Sequence, residues 1–181
     1  LAWTAPALSA TEGDGDTLTW GVSAAATNGT ATVSGSGVSP SSPSVFTYIP
    51  NADWNGTDTF TVRVYDADGE DTITVNVTVT AVNDPPSFSK GADQTVNEDD
   101  GAQSLSGWAS SISKGPSDES GQSLTFTVSN NNTSLFSAQP AISSAGVLTF
   151  TPAADKNGSA TVTVSLSDNG GTANGGDDTS P

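Results

Sequence analysis

The sequence predicts an all-β protein made of two tandem antiparallel β-sandwich domains. The first observation is compositional: threonine, valine and serine dominate a chain that is only 33% apolar, which is typical of a small-cored β protein and not of a disordered one. The second is that apolar and polar residues alternate with a period of two along several short segments, as half-buried strands require. The third is that one long segment occurs twice.

The repeated segment spans residues 45–66 and returns as residues 147–168 without a gap. Half of its positions are identical, and most of the others exchange similar residues, as Tyr48 and Phe150 do. A period of about a hundred residues is too long for a solenoid repeat and fits independently folded domains. The repeat therefore predicts two domains of one architecture.

In the first domain the alternation predicts five strands. The clearest one places Phe60, Val62 and Val64 on a single face. The Asp-Ala-Asp-Gly sequence at residues 66–69 predicts a hairpin turn after it. The predicted strands are residues 18–22, 31–33, 45–48, 57–65 and 70–80.

The second domain repeats this plan, and no helix of ordinary length is expected in either domain. Its predicted strands are residues 94–98, 104–108, 124–128, 135–139, 147–150 and 159–167. Between the domains, Pro85 and Pro86 remove two backbone donors and stiffen the connection. The predicted domains are residues 1–84 and 85–181.

Alignment of the two copies indicates that each domain lacks a terminal strand. Residues 86–104 of the second domain have no counterpart before Trp3. The strand at residues 70–80 has no counterpart at the end of the second domain. We therefore expect a segment of a longer protein, in which other residues or another chain supply the missing strands.

Charge and composition exclude several functions. The net charge of −16 excludes nucleic acid and anionic membrane surfaces as partners, because no basic patch can replace their counterions. The chain has no cysteine and no histidine, so disulfides, thiol chemistry and ordinary zinc or copper sites are excluded. No membrane-inserting run occurs. The acids stand in turns with no sign of a cleft between two of them, so we expect no enzyme.

Several motifs resemble the cadherin-like repeats of large secreted bacterial surface proteins and adhesins. The first domain contains Phe-Thr-Tyr-x-Pro-x-Ala-Asp-x-Asn-Gly-Thr-Asp, then Phe-Thr-Val-x-Val-x-Asp, then Val-Thr-Val-x-Ala-Val-Asn-Asp-x-Pro. The second contains Leu-Ser-Gly-Trp and Asp-Glu-Ser-Gly-Gln-Ser-Leu-Thr-Phe. The resemblance covers nearly the whole chain. It implies an Ig-like/cadherin-like sandwich, an extracellular or cell-surface location, a role in adhesion or extension, and Ca²⁺ between domains.

The resemblance also implies which residues would bind calcium, since the family takes ligands from one domain's end, from the linker and from the next domain. Carried over by position, the ligands of the junction inside this chain are Asp53, Asn55, Asn83, Asp84, Asp118 or Glu119, and Asp168. The preceding junction would take Asp14, Asp16, Asp66 and Asp68, and the following one Glu98 and Asp155.

The chain departs from the family pattern in its linker. Ala81 and Val82 stand where a further acid is usual, and Pro85 stands where an asparagine ligand is usual. Fewer charged ligands imply weaker binding or fewer ions. For any single aspartate, the alternative is a turn residue selected for its backbone conformation.

Our prediction is a non-enzymatic, calcium-stiffened extender or adhesion segment of a bacterial surface protein. Its partners would be neighbouring repeats of the same chain, with cell-surface glycans or proteins as further partners. Two alternatives stay open. Trp54 and Tyr65 could form the aromatic platform of a carbohydrate-binding module, although Lys156 replaces Trp54 in the second copy. The chain could also be the subunit of a surface filament, in which another chain completes the missing strand.

Overall fold

The computed structural model describes residues 3–181 and confirms the all-β fold class. The chain divides into two compact units, residues 1–81 and 82–181. Helical structure in the described residues is limited to three 3₁₀ turns, at Ser117–Glu119, Thr133–Leu135 and Ala173–Gly175. Within residues 3–181, no helix is long and apolar enough to cross a membrane.

The first unit contains the five predicted strands, all antiparallel. They are β1 (Leu18–Ala24), β2 (Gly29–Gly37), β3 (Val45–Pro50), β4 (Gly56–Tyr65) and β5 (Glu70–Val79). Their order across the sheet is β3-β2-β1-β4-β5. The longest ladder joins β4 to β5, from Gly56 opposite Val79 to Tyr65 opposite Glu70. In both strands buried residues alternate with more exposed ones, as Phe60 and Val62 do in β4 and Val75 and Val77 in β5, and this pattern explains the regular register.

Strand β2 changes partner along its length. Residues 29–34 pair with β3, whereas residues 35–37 pair with β1. The change occurs at Gly35, whose φ of +149° favours glycine. A Cβ atom at this position would lie 2.7 Å from the backbone nitrogen of Ser44. Glycine here lets one strand connect the two layers of the sandwich.

Aromatic and valine side chains fill the core of the first unit. The Tyr48 ring on β3 stacks on the Phe60 ring on β4, with centroids 6.1 Å apart, and the edge of Phe46 also meets Phe60 at 6.1 Å. These contacts join the layers, because β3 and β4 are not neighbours in the sheet. The buried core residues are Trp20, Val33, Tyr48, Phe60, Val62, Val75 and Val77.

The second unit has shorter and more numerous strands. They are β6 (Ser87–Ser89), β7 (Gln103–Leu105), β8 (Ser110–Ser113), β9 (Thr125–Asn130), β10 (Phe136–Ile142), β11 (Leu148–Pro152) and β12 (Val162–Ser167). They form three antiparallel groups, β10-β11-β7, β12-β9 and β6-β8. The buried core cluster contains Ala109, Ile142, Leu148 and Phe150. It is smaller than the core of the first unit.

The prediction of a strand at residues 94–98 is wrong. These residues form no strand, and the backbone N–H of Asn97 instead donates to the side chain of Asp100 at 2.8 Å. The physical reason is that Val96 is the only apolar residue in this stretch, so no buried face fixes a register. Two unpredicted short strands, β6 and β8, pair with each other instead.

Candidate cation-binding clusters

Four predicted ligand residues of the first unit lie together, and we call Asp14, Asp16, Asp66 and Asp68 the hairpin cluster. Two stand in the turn between β4 and β5, and two in the chain that leads into β1. Carboxylate oxygens of Asp14, Asp16 and Asp68 lie within 4.8 Å of one another, and all three side chains are exposed. Asp66 shapes the turn, because its Oδ1 accepts the backbone N–H groups of Asp68 at 3.0 Å and Gly69 at 2.9 Å.

Like charges in the hairpin cluster repel one another and shift the pKa of Asp16. The pKa of the Asp16 carboxyl is raised, chiefly by the negative charge of Asp14 and then by weaker solvation. The pKa of Asp14 is lowered, chiefly by a hydrogen bond with the Glu12 side chain. A cation would relieve this repulsion. Water also screens it at such an exposed place, so proximity alone does not identify a site.

A second cluster lies wholly within the second unit, and we call Asn83, Asp84, Glu119, Gln122, Asp168 and Asp177 the linker cluster. Asn83 is at its centre. The Nδ2 atom of Asn83 donates to Asp168 Oδ1 at 3.0 Å and to the backbone carbonyl of Asp177 at 2.6 Å. Its Oδ1 accepts a hydrogen bond from Gln122 Nε2 at 2.6 Å. The segment that follows the first unit is therefore fastened to three separate parts of the second.

Glu119 is the buried carboxylate of the linker cluster, with 6% of its surface exposed. The backbone N–H of Asp84 donates to its Oε1 at 2.7 Å. Its other oxygen, Oε2, lies against Gly115, and a Cβ atom at that glycine would overlap it. The 3₁₀ turn at Ser117–Glu119 thus directs a carboxylate inward, beside the linker.

Three oxygens of the linker cluster are buried without a hydrogen-bond partner: Glu119 Oε2, Gln122 Oε1 and Asp168 Oδ2. An unsatisfied buried polar atom costs about 1–3 kcal/mol, and more when it is charged. Calcium is bound by carboxylate, side-chain amide and backbone carbonyl oxygens, which is the donor set present here. The chain has no histidine or cysteine for softer metals. These donor types suit calcium, although within residues 3–181 only the hairpin cluster brings three carboxylates within 4.8 Å of one another.

The two clusters bring together eight of the predicted ligands, and the others lie elsewhere. Asp118, the alternative to Glu119, is exposed on the same 3₁₀ turn. Asp53 and Asn55 belong to the connection between β3 and β4 in the first unit. Glu98 is exposed near Asp99 in the second unit.

Asp53 and its counterpart Asp155 have a backbone role. Their φ angles are +56° and +55°, in the left-handed region that aspartate adopts more readily than most residues. Both side chains are exposed, and the N–H of Asp155 donates to Asp99 Oδ1 at 3.4 Å. Turn geometry is a sufficient reason for an aspartate at both positions.

Sequence reasoning missed Gln122 and Asp177. A signal for Gln122 exists, because Gly121-Gln122-Ser123-Leu124 corresponds to Gly15-Asp16-Thr17-Leu18, which places Gln122 opposite an acid of the hairpin cluster. No such signal exists for Asp177. It lies in a glycine-rich loop of the second unit that is much longer than the turn at residues 66–69.

The alternative in which Trp54 and Tyr65 form one aromatic platform has no support in the structure. Trp54 lies two residues before β4 and Tyr65 is its last residue, so the strand separates them by about 30 Å at the rise of extended backbone. Trp54 is half-buried, and its ring packs against Gly56. The Tyr65 ring is covered by the Arg63 guanidinium, 4.6 Å from its centroid. One sugar ring cannot contact both.

Both units match the same protein family. The family described as bacterial Ig domain matches residues 3–80 and again residues 83–176. No curated protein and no solved structure matched the chain. The two matched ranges agree with the two compact units of the structure.

Proposed function

The chain belongs to the bacterial Ig domain family, in two tandem copies, and from that premise we propose that it is a non-enzymatic extender segment of a long bacterial surface or secreted protein, stiffened by Ca²⁺. The number of tandem domains of this kind determines the length that the extender spans. The partners of each domain are the neighbouring repeats of the same chain. Adhesive contacts with cell-surface glycans or proteins are part of the same proposal.

The proposal that calcium binds is supported by three buried oxygens of the linker cluster that have no hydrogen-bond partner: Glu119 Oε2, Gln122 Oε1 and Asp168 Oδ2. This set occurs where the chain enters the second unit, since Asn83 follows Ala81 by two positions. A cation bound there would satisfy the buried oxygens of Glu119 and Asp168. It would also hold the linker on the second unit, which restricts the hinge between the two domains.

The ligands would be the carboxylates of Glu119, Asp168 and Asp84, with amide oxygens from Asn83 and Gln122. The hairpin cluster offers a second, more exposed position through Asp14, Asp16 and Asp68. Extracellular calcium modules bind with dissociation constants of about 10⁻⁴–10⁻³ M. At a calcium concentration tenfold above the dissociation constant, one site stabilises the folded state by about 1.4 kcal/mol. That is enough to stiffen a hinge and too little to fold a domain.

Isothermal titration with Ca²⁺ tests the linker cluster. Glu119→Gln removes one buried charge and keeps an acceptor for the N–H of Asp84, so we expect the affinity to fall about tenfold or more. Asp93→Asn is the matched control, because it removes one charge from the same unit at a side chain that is 92% exposed. Equal affinities in the wild type and Glu119→Gln would contradict the assignment.

Small-angle scattering with Ca²⁺ and with a chelator tests the stiffening itself. We expect calcium to narrow the distribution of interdomain distances, because it restricts the linker. Glu119→Gln should give the chelator profile even in calcium. A distribution of interdomain distances that does not respond to calcium would contradict the stiffening role of the ion, but it would not contradict calcium binding at the linker cluster.

A further inference from the structure

One loop of the second unit, residues 168–178, encloses the linker residue Asn83. The loop follows β12, and a hydrogen bond from the Asp168 N–H to the Asp178 carbonyl closes its base at 3.0 Å. The corresponding turn of the first unit spans only residues 66–69 and is closed in the same way. The second unit therefore has the same turn with a long insertion, and the insertion contacts the linker.

Every hydrogen-bonding group of the Asn83 side chain has a partner in the protein. A carboxamide nitrogen carries two N–H groups, and Asn83 Nδ2 has two acceptors, Asp168 Oδ1 at 3.0 Å and the Asp177 carbonyl at 2.6 Å. Asn83 Oδ1 accepts a hydrogen bond from Gln122 Nε2 at 2.6 Å. The loop also binds the main chain, because the Asp177 N–H donates to the Asn83 carbonyl at 3.0 Å. None of these four bonds needs an ion.

The buried oxygens of the linker cluster that lack a partner belong to other residues, namely Glu119, Gln122 and Asp168. A cation would satisfy those oxygens, whereas the hydrogen bonds that hold Asn83 are complete without one. The attachment of the linker and the candidate cation site are therefore adjacent but separable.

Two glycines of the loop are explained by Asn83 and not by their own backbone. Neither Gly170 nor Gly176 has the positive φ that favours glycine. Gly176 has a φ of −66° and a ψ of 163°, an extended conformation that any residue adopts. A Cβ atom at Gly176 would lie 2.9 Å from the backbone nitrogen of Asn83, and one at Gly170 would overlap Asn83 Oδ1. Glycine at these two positions lets the loop close on Asn83.

The arrangement selects asparagine over similar side chains. Aspartate has no N–H group to donate to Asp168 and to the Asp177 carbonyl, and it adds a charge beside Asp168. Glutamine has the same carboxamide but one more methylene group, which the close approach of Gly170 and Gly176 leaves without space. The loop thus recognises a carboxamide on the shortest side chain that carries one.

We propose that residues 168–178 and Gln122 form a latch, which recognises the Asn83 carboxamide and holds the linker on the second unit whether or not a cation is bound. This inference does not depend on the proposed calcium site. Calcium at the linker cluster would act on a linker that is already attached. Part of the stiffness of the linker should therefore persist in a chelator.

Hydrogen exchange of the intact chain in chelator, followed by NMR, tests the latch. We expect the Asn83 side-chain amide and the Asp177 N–H to exchange about tenfold more slowly, or more, in the wild type than in Gly176→Ala. The added Cβ displaces the Asn83 main chain, although alanine adopts the local backbone conformation without strain. Gly121→Ala is the matched control, because Gly121 also lacks a positive φ and nothing lies within 4 Å of the added atom. Its protection should equal that of the wild type.

A double-mutant cycle tests whether Gly170 acts through Asn83. Gly170→Ala should lower the melting temperature of the second unit in the wild-type background and change it little in Asn83→Ala, which lacks the Oδ1 atom that the new Cβ meets. The other nearby atom, Gln122 Nε2, ends a flexible side chain that can move once its acceptor is gone. The indole N–H signal of Trp108, which donates to the Ala92 carbonyl, reports on this unit.

Three results would overturn the proposal. One is rapid exchange of the Asn83 amide in chelator that slows only when Ca²⁺ is added, because the ion would then hold the linker. Another is equal exchange in the wild type and Gly176→Ala. The third is an equal loss from Gly170→Ala in both backgrounds of the cycle. Slow exchange in a chain that binds no calcium by titration would support the latch and contradict only the calcium site.

Discussion

The Tyr48 hydroxyl donates a 2.9 Å hydrogen bond to Asp58 Oδ2 in the core of the first unit, where both side chains are 5% exposed. The same carboxylate accepts the backbone N–H groups of Thr27 at 3.2 Å, Asn28 at 2.8 Å and Thr59 at 2.9 Å. One buried acid thus joins the β1–β2 turn to β3 and β4. Such a charge is tolerated only because every lone pair meets a donor.

Asp58→Ala is expected to lower the free energy of unfolding of the first unit by about 3 kcal/mol, because it leaves buried donors without an acceptor. The Trp20 indole N–H, which donates to Ser41 at 3.1 Å, gives an NMR signal specific to this unit during urea unfolding. Asp71→Ala, on an exposed position of β5, should change stability by about 0.5 kcal/mol or less. Equal losses in the two variants would contradict the role of Asp58.

The loss of stability of the first unit at low pH should also depend on Asp58. Burial alone would raise its pKa, but the hydrogen bonds from Asn28, Tyr48, Thr27 and Thr59 outweigh burial and lower the pKa below 3.8. The unfolded state therefore binds the proton first, so this stability is present above pH 4, approximately, and is lost as pH falls below it. In urea unfolding between pH 5 and pH 2, the free energy of unfolding should fall less steeply with decreasing pH in Asp58→Asn than in the wild type. An equal slope in both proteins would mean that other carboxyl groups determine the acid sensitivity.

The loss of stability of the first unit at high pH should depend on Tyr48. Burial, then the hydrogen bond to Asp58 and its charge, raise the pKa of Tyr48 to about 12 from 10.0. The folded state holds this proton more tightly, so the stability is complete below pH 10 and is lost as pH rises from about 10 to about 12. Tyr48→Phe should make the free energy of unfolding less dependent on pH in this range. Absorbance of the tyrosinate ion follows the titration directly, and a wild-type stability that falls no more steeply with pH than that of Tyr48→Phe would contradict the role of Tyr48.

Sequence patterns predicted the strands of the first unit well, because each has a buried face with period-two alternation. They failed at residues 94–98, where one valine among polar residues leaves the register unspecified. Asp58 was missed for a different reason. Its counterpart in the second copy is Ala160, so the repeat gave no sign that an acid there is buried, and the partners in the β1–β2 turn are distant in sequence.

The candidate site was predictable in part. The resemblance placed Asn83, Asp84, Glu119 and Asp168 in one set, and the structure brings these four together in the second unit. No pattern, however, distinguishes Asp118 from Glu119, since adjacent residues of a 3₁₀ turn differ only in which one faces inward. The contribution of Asp177 depends on a loop path that only tertiary structure defines.

Gly115→Ala should impair calcium binding without touching a ligand. The new Cβ would overlap Glu119 Oε2, so the carboxylate must move, and we expect the calcium affinity to fall about tenfold or more. Gly107→Ala is the matched control, because Gly107 also has a positive φ, +68°, but nothing lies within 4 Å of the added atom. Both variants place alanine at a positive φ, +119° at Gly115 and +68° at Gly107, which costs about 1–3 kcal/mol. Equal calcium affinities would show that the Glu119 carboxylate is not a ligand.

Asn83→Asp should make the second unit depend on calcium. In the wild type the Asn83 amide donates to Asp168 and to the carbonyl of Asp177. A carboxylate cannot donate, and it adds a negative charge next to Glu119 and Asp168. In chelator we expect the free energy of unfolding to fall by about 2–3 kcal/mol. With calcium the added charge becomes an extra ligand, so much of the loss should be recovered and the affinity should rise. Thermal unfolding with and without Ca²⁺ measures both effects, with Asn83→Ala as the control that loses the donor but adds no charge. An equal loss for Asn83→Asp in chelator and in calcium would show that no cation binds beside this side chain.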